Sequence, residues 1–267
     1  MKLSIITINY NNAPGLEATI KSVISQTYRD FEYIIIDGGS KDSSVEIIDK
    51  YSRYIHFWVS EKDNGVYDAM NKGIRVSGGE YLLMLNSGDI LADNSILETV
   101  FKTGAYNQDI IYGDVIWDSN GEIFMIEKYP ENLSFQYFRN KSLGHQATFI
   151  KKSLHNTVAY YDDKLKISSD WKFFLLSICK YNVSFKHIPF SISRCDCEGM
   201  SWSSKNQKII LDERNGVFEE YFPLFIADYL QLDRYKSKEF GSRLNSAKSK
   251  LKSTIKKIIK RGSASKK

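Results

Sequence analysis

Five carboxylates and one imidazole hold the positions from which this sequence could do chemistry. Asp37 follows an apolar run over residues 31–36, Glu61 and Asp63 follow another over 55–59, and Asp89 follows a third over 80–85; Tyr10 and Asn11 hold the same place after residues 3–8. A single acid after a strand is commonly a turn former or a helix cap. Four acids at one edge make an acidic rim, and carboxylate oxygens are the ligands hard divalent cations prefer. Asp89 suits Mg²⁺ or Mn²⁺ bridging two phosphates. Asp37 has an acceptor for the imino N–H of a pyrimidine base, and Tyr10 has a ring face for the same base. Asp170, in Ser168-Ser169-Asp170, precedes an apolar helical run, where exposed amides and the helix dipole stabilise a carboxylate that caps or reacts. His145, in Gly144-His145-Gln146, is placed for contact with an acceptor or a phosphate, or is a satisfied structural histidine. Trp202, in Gly199-Met-Ser-Trp-Ser-Ser204, is placed to close over a bound group or is part of a plain surface loop.

The elements that must position these groups alternate strand and helix. Residues 3–8 are β-branched and give way to Pro14 and then Leu16, Ile20, Val23 and Ile24 at helical spacing. After the second strand, Ser43 and Glu46 have capping-box spacing ahead of Val45, Ile48 and Tyr51. Residues 66–76 read as a helix. Strands separated by helices argue for parallel βαβ units, whose ligands lie beyond the carboxyl ends of the strands. Beyond Val115 the alternation loosens, with strands expected over 123–126, 147–150 and 184–188 and a buried helix over 171–179.

Several classes are excluded. The turn after the first strand, Asn-Tyr-Asn-Asn-Ala-Pro-Gly, lacks the Gly-x-Gly-x-x-Gly of dinucleotide folds, and no Walker loop is present. A bound diphosphate would therefore need a cation held by carboxylate. Cys179, Cys195 and Cys197 are too few for a disulfide framework, no zinc ligand set completes Cys195-Asp-Cys197, and the N-terminal apolar run is too short for a signal peptide. Reduced thiols in the cytoplasm are expected. The net charge of +5 conceals an asymmetry: residues 236–267 hold twelve Lys/Arg against Glu239, leaving the first 235 residues with 25 basic and 31 acidic groups. In that tail Leu244, Ala247, Leu251, Ile255, Ile258 and Ile259 recur at helical spacing among lysines, a pattern suited to anionic lipid. Nucleic acid is the competing partner, but a single aromatic residue, Phe240, interleaves the tail beyond Tyr235.

The blocks Ser4-Ile-Ile-Thr-Ile-Asn-Tyr-Asn11, Ser25-Gln-Thr-Tyr28, Phe31-Glu-Tyr-Ile-Ile-Ile-Asp-Gly-Gly-Ser40, Ser60-Glu-Lys-Asp-Asn-Gly-Val-Tyr-Asp-Ala-Met-Asn-Lys-Gly73 and Gly79-Glu-Tyr-Leu-Leu-Met-Leu-Asn-Ser-Gly-Asp89 resemble the signatures of family 2 glycosyltransferases, in the family's order. The resemblance is strong over the first ninety residues and weaker to about Trp202. It implies an α/β fold of the GT-A type, with a mostly parallel central sheet flanked by helices. A nucleotide-sugar-binding half, 1–115, is fused to an acceptor half, 116–235, followed by the basic tail, 236–267. It also implies transfer, with inversion, of a sugar from a nucleoside diphosphate donor, a UDP-sugar being favoured. The acceptor is a hydroxyl of a glycan or polyprenyl-linked acceptor in bacterial surface-polysaccharide synthesis, with Mg²⁺ or Mn²⁺ assisting. The enzyme would be cytoplasmic and peripheral at the inner face of the plasma membrane. Ile8 (through its backbone), Tyr10, Asp37, Asp63 and Asn71 correspond to donor contacts, Asp89 to the last acid of the metal motif, and Asp170-Trp-Lys-Phe-Phe-Leu-Leu to the segment of the general base.

Two departures matter. Gly38 replaces the second acid that often follows the second strand, and Asn86-Ser-Gly-Asp89 lacks the first acid of the metal motif. One protein carboxylate then shares the metal with phosphate and water, so weak metal binding is expected without donor. Two other functions fit parts of this pattern. A sugar nucleotidyltransferase would share sheet and metal but needs a glycine-rich basic loop that is absent. A non-catalytic nucleotide-sugar or glycan-binding module is compatible with the reduced motif. A processive synthase would carry Gln-x-x-Arg-Trp and membrane spans, and neither is found.

Overall fold

A computed structural model describes residues 1–104, 106–119, 122–196, 199 and 203–235; Trp202 and the basic tail, 236–267, lie outside the described residues. The N-terminal core is built as the apolar runs dictate. Strands β1 (Leu3–Asn9), β2 (Phe31–Asp37), β3 (Phe57–Ser60) and β4 (Tyr81–Met84) pair in parallel in the order β3-β2-β1-β4. Every residue of β1 is buried, the pattern of a strand covered on both faces. Helix α1 (Ala13–Ile24) buries Leu16, Ile20 and Val23, with Pro14 in its first turn. Helix α3 (Val66–Val76) follows the expected span and buries Tyr67, Met70, Asn71 and Ile74. A side chain at Gly73 would stand 2.4 Å from Ile6 Cγ2, so glycine there lets α3 lie directly on β1.

The expected capping box does not form at helix α2 (Ser44–Tyr51). Ser43 is the N-cap but its hydroxyl makes no capping bond. Asp42, one residue earlier, accepts from Ser44 N–H at 3.1 Å and Ser44 Oγ at 2.6 Å, and from Ala13 N–H at 2.9 Å. One carboxylate thereby serves the N-termini of both α1 and α2, and its shorter side chain wins over Glu46 because it already lies in the turn.

The sheet continues through β5 (Ile90–Leu91), β6 (Ile110–Ser119), β7 (Glu122–Glu127), β8 (Thr148–Lys151) and β9 (Phe185–Asp196) in the order β3-β2-β1-β4-β8-β6-β9-β5, with β7 beside β6. Strand β8 joins β4 and β6 antiparallel, while β9 runs parallel to β6. Position 115, where the two halves are expected to meet, lies inside β6, so both halves share one sheet. The helix expected over 171–179 starts earlier, as Ser169–Leu175, and ends in a π-turn, Leu176–Lys180. The chain divides after Glu213 into a large unit and a second one beginning at Arg214, whose described part, to residue 235, is helical. Among the described residues, no helix is long and apolar enough to cross a membrane.

Candidate functional site

The carboxyl ends of β1, β2 and β3 meet at Asp37. Its side chain is fully buried. Oδ1 accepts from Asn9 Nδ2 at 2.7 Å and Ser40 Oγ at 2.6 Å; Oδ2 accepts from Gly39 N–H at 3.1 Å, Ser40 N–H at 2.9 Å and Ser60 Oγ at 2.6 Å. Burial alone would raise its pKa, but the donors from Ser40, Ser60 and Asn9 outweigh it and hold the carboxyl below its ordinary value. In this structure Asp37 clamps three strand ends and fixes the Gly38–Ser40 turn.

The surface of that turn is formed by Tyr10, Gly38 and Asp63. Tyr10 is 66% exposed. A Cβ on Gly38 would stand 2.6 Å from Asp63 Oδ2 and 3.2 Å from the Tyr10 ring. The missing second acid is thus matched by a carboxylate from the β3–α3 loop, which occupies the space that a side chain at 38 would need. Asp63 Oδ1 accepts from Gly65 N–H at 2.9 Å, which orients the side chain. Ile8 O accepts from Ser87 N–H at 3.0 Å, tying β1 to the turn that carries Asp89. Asn71 is buried, and its amide is taken up by the Tyr161 backbone, donating to O at 2.8 Å and accepting from N–H at 3.0 Å. It pins residue 161 to α3.

A second cluster joins residues from both sides of position 115. Asp170 is the second residue of helix Ser169–Leu175, whose N-cap is Ser168. The loop before it is fixed by Glu213, which accepts from Lys166 N–H at 2.6 Å and Ser168 N–H at 2.9 Å. Asp170 Oδ1 lies 3.0 Å from Tyr67 OH, on α3, and Oδ2 lies 3.0 Å from His145 Nδ1. The Tyr67 hydroxyl also lies 2.5 Å from Ile167 O. His145 Nε2 is 3.2 Å from Asn86 Nδ2, in the turn that ends at Asp89. As the Nδ1–H tautomer the imidazole donates to Asp170 and accepts from Asn86; as imidazolium it requires the Asn86 amide to present Oδ1 instead. Burial disfavours the charge on both partners. Their mutual hydrogen bond and attraction outweigh it, so His145 is raised and Asp170 lowered from their ordinary values, with the charge of Asp89 adding to the rise at His145.

Asp89 is pushed up to about 6 by burial, against the opposing charge of His145 and a hydrogen bond from Cys195, with Asp196 adding repulsion. Asn86 Oδ1 is buried without a hydrogen-bond partner. Among the described residues no group of three or more His, Cys, Asp or Glu side chains converges on a metal position. One raised carboxylate and one orphan amide oxygen fit a hard cation that takes its remaining ligands from phosphate and water, and do not fit a site closed by protein alone.

The Glycosyl transferase family 2 model matches residues 4–161, more than half of the chain. The chain belongs to glycosyl transferase family 2. It is 33% identical over 182 residues to a PGL/p-HBAD biosynthesis glycosyltransferase of Mycobacterium bovis, covering 64% of this chain and 67% of that protein. It is 36% identical over 113 residues to the cholesterol galactosyltransferase of Borreliella burgdorferi, covering 41% and 31%. Residues 1–349 of S. aureus TarS in complex with UDP-GlcNAc superpose with a TM-score of 0.60 at 18% identity, over 76% of this chain and 61% of that one. The mannosyltransferase PcManGT of Pyrobaculum calidifontis, in complex with GDP-Man and Mn²⁺, gives 0.56 at 15%, over 75% and 58%. The chain thus spans about two thirds of the mycobacterial relative and about three fifths of these structures. The expected GT-A fold is the fold found, and the chain is a glycosyltransferase.

Within this family 2 member the site is more connected than its sequence suggests. The structure brings Tyr10 and Asp63 together at Gly38, and His145 to Asp170. Tyr67, Asn86, Ser60 and Glu213 were not singled out as site residues from the sequence. Ser60, Tyr67 and Asn86 stand inside the signature blocks, and that is the signal that could have found them.

Proposed function

We propose that this enzyme is an inverting, non-processive glycosyltransferase. It moves a sugar from a UDP-sugar to a hydroxyl of a glycan or polyprenyl-linked acceptor in cell-surface polysaccharide synthesis. The observation that carries this reading is a single carboxylate, Asp170, held at a helix start by His145 and Tyr67 and linked through His145 to the Asn86–Asp89 turn. Asp170 takes the proton of the acceptor hydroxyl as that oxygen bonds to the anomeric carbon, and the bond from that carbon to phosphate breaks with its electron pair leaving on the diphosphate. One base suffices for inversion, whereas a glycosidase commonly uses two flanking carboxyl groups. Tyr10 and Asp63 line the place for the base of the donor, with Ile8 and Asp37 fixing the backbone beneath it. Asp89 and Asn86 would hold Mg²⁺ or Mn²⁺, which supplies Lewis acidity to the departing diphosphate. The UDP-GlcNAc and GDP-Man complexes of the structural neighbours support a nucleotide-sugar donor, and the Mn²⁺ in one of them supports a cation.

Thermal shift with UDP, GDP, CMP and dTDP, each with and without Mn²⁺, tests this reading. A rise with UDP that grows with Mn²⁺ is expected; no shift with any nucleotide would overturn the donor assignment. The membrane part of the reading rests on residues 236–267, with twelve Lys/Arg against one acid. Deleting residues 240–267 is expected to release the protein from vesicles containing anionic phosphatidylglycerol while leaving UDP binding intact. Unchanged co-sedimentation would remove the tail from the account.

A further inference from the structure

His145 stands where Asp170, in the acceptor half, is joined to the Asn86–Asp89 turn of the donor half. We infer that His145 is the positioning residue of the base: its Nδ1 side aims the Asp170 carboxylate, and its Nε2 side locks that aim to the turn that carries Asp89. The inference rests on Asp170 being the base.

Three observations carry it. Both ring nitrogens are engaged, at 3.0 Å to Asp170 Oδ2 and 3.2 Å to Asn86 Nδ2, so the ring cannot rotate without losing a partner. The ring is held in a 3₁₀ turn, His145–Ala147, whose next residue, Thr148, begins β8, the strand that joins β4 to β6. The turn is itself anchored, since Gly144 O accepts from Thr148 Oγ1 at 2.7 Å and Gly144 N–H donates to Tyr129 OH at 3.1 Å. Among the described residues, the other side-chain partner of Asp170 is Tyr67, on its Oδ1 side at 3.0 Å. Two clamps, one per oxygen, define the plane of a carboxylate, and both come from outside the helix that bears it. Sub-ångström placement of a reacting group governs its effectiveness, and a misplacement of about 1 Å can cost about 10²-fold. The charged and titratable groups that act on His145 are Asp170 and Asp89.

The two nitrogens can be separated by substitution, because Asn places an amide near Nδ1 and Gln places one near Nε2. His145→Asn keeps a donor for Asp170 and loses Asn86; His145→Gln keeps a partner for Asn86 and loses Asp170; His145→Leu loses both. The readout is nucleoside diphosphate release from UDP-glucose, UDP-galactose and UDP-N-acetylglucosamine with Mn²⁺, where water stands in for the acceptor hydroxyl, alongside UDP affinity by calorimetry. Turnover is expected to fall least in His145→Asn and by about 10²-fold in His145→Gln and His145→Leu, with UDP affinity and melting temperature unchanged. Wild-type turnover in His145→Leu would overturn the inference. So would a loss of UDP affinity that parallels the loss of turnover, which would make His145 a phosphate contact. Asp170→Asn is measured beside them: if it turns over normally, the assignment of the base has failed, and if it is inactive while all three His145 variants are normal, only the positioning role has failed.

Discussion

Asp170→Asn is expected to lower turnover by about 10²–10⁴-fold, the range for removing a positioned general base, with the melting temperature and UDP affinity held near wild type. The amide keeps the shape of the carboxylate: its oxygen can still accept from His145 Nδ1–H while its NH2 faces the Tyr67 oxygen, whose proton can go to Ile167 O, so the clamp survives while the proton acceptor is lost. The pH profile follows from the same contacts. Burial would raise the carboxyl, but His145 and Tyr67 hold it below its ordinary value, so the base remains ionised through neutral pH and well into the acid range. Activity governed by Asp170 is therefore expected above its depressed pKa and is lost only as pH falls through it. A more basic carboxylate would be a stronger proton acceptor at pH 7, and the low value identifies the pair with His145 as a device that favours the ionised form over basicity. Nucleoside diphosphate release from the variant, measured beside its UDP affinity, decides the matter. Turnover within a factor of two of wild type would remove Asp170 from the chemistry and leave it a first-turn carboxylate in a helix.

The N-terminal part of the sheet is legible because its elements obey local rules. Strand β1 is an unbroken apolar run buried on both faces, and α3 shows its 3.6-residue period over the span the structure confirms. Strand β6 carries no clear strand signal, because Gly113 and Asp114, a pair that resembles a turn, interrupt it. The fold accommodates them with register shifts against β9 on either side of Asp114, whose buried carboxylate accepts from His187 Nε2 at 2.8 Å and Tyr129 N–H at 3.1 Å. Neither partner is near in sequence, so no local pattern announces the strand. The site divides along the same line. Asp37, Asp63, Asp89 and Asp170 stand out singly, because strand ends and helix starts are visible in a sequence. The contacts Tyr67 to Asp170, His145 to Asp170 and Gly38 to Asp63 are products of strand order and loop path. Gly38 shows the limit best: as a sequence feature it is a missing acid, and as a structure it is the space that Asp63 enters.

Asp89→Asn is expected to act with opposite signs on stability and on function. In the metal-free protein burial pushes Asp89 up to about 6 from an ordinary value of 3.8. A carboxyl raised on folding carries no cost while it is protonated in both states, below its unfolded pKa; the cost grows as pH rises from that value to the folded one and is complete above it. At pH 7.5 the ionised side chain therefore destabilises the fold, by about 1–3 kcal/mol from the size of the shift. Removing the charge with an isosteric amide should raise the melting temperature at pH 7.5, by about 2–4 °C per kcal/mol for a chain of this size. It should also flatten the fall in stability that wild type shows between pH 4 and pH 7. Function should move the other way. The Mn²⁺-dependent part of the thermal shift with UDP should vanish, since a ligand stabilises only in proportion to its binding to the native state. Turnover should fall by at least about 10²-fold, because the cation's interaction with developing charge amounts to several kcal/mol. A destabilising group retained at the end of a core strand makes physical sense only if something offsets it, and a bound cation with its diphosphate would do so by replacing lost hydration with direct ligation. A variant that gained stability but kept its Mn²⁺-dependent UDP shift would move the metal to another ligand and leave Asp89 as a half-buried acid neighbouring Cys195.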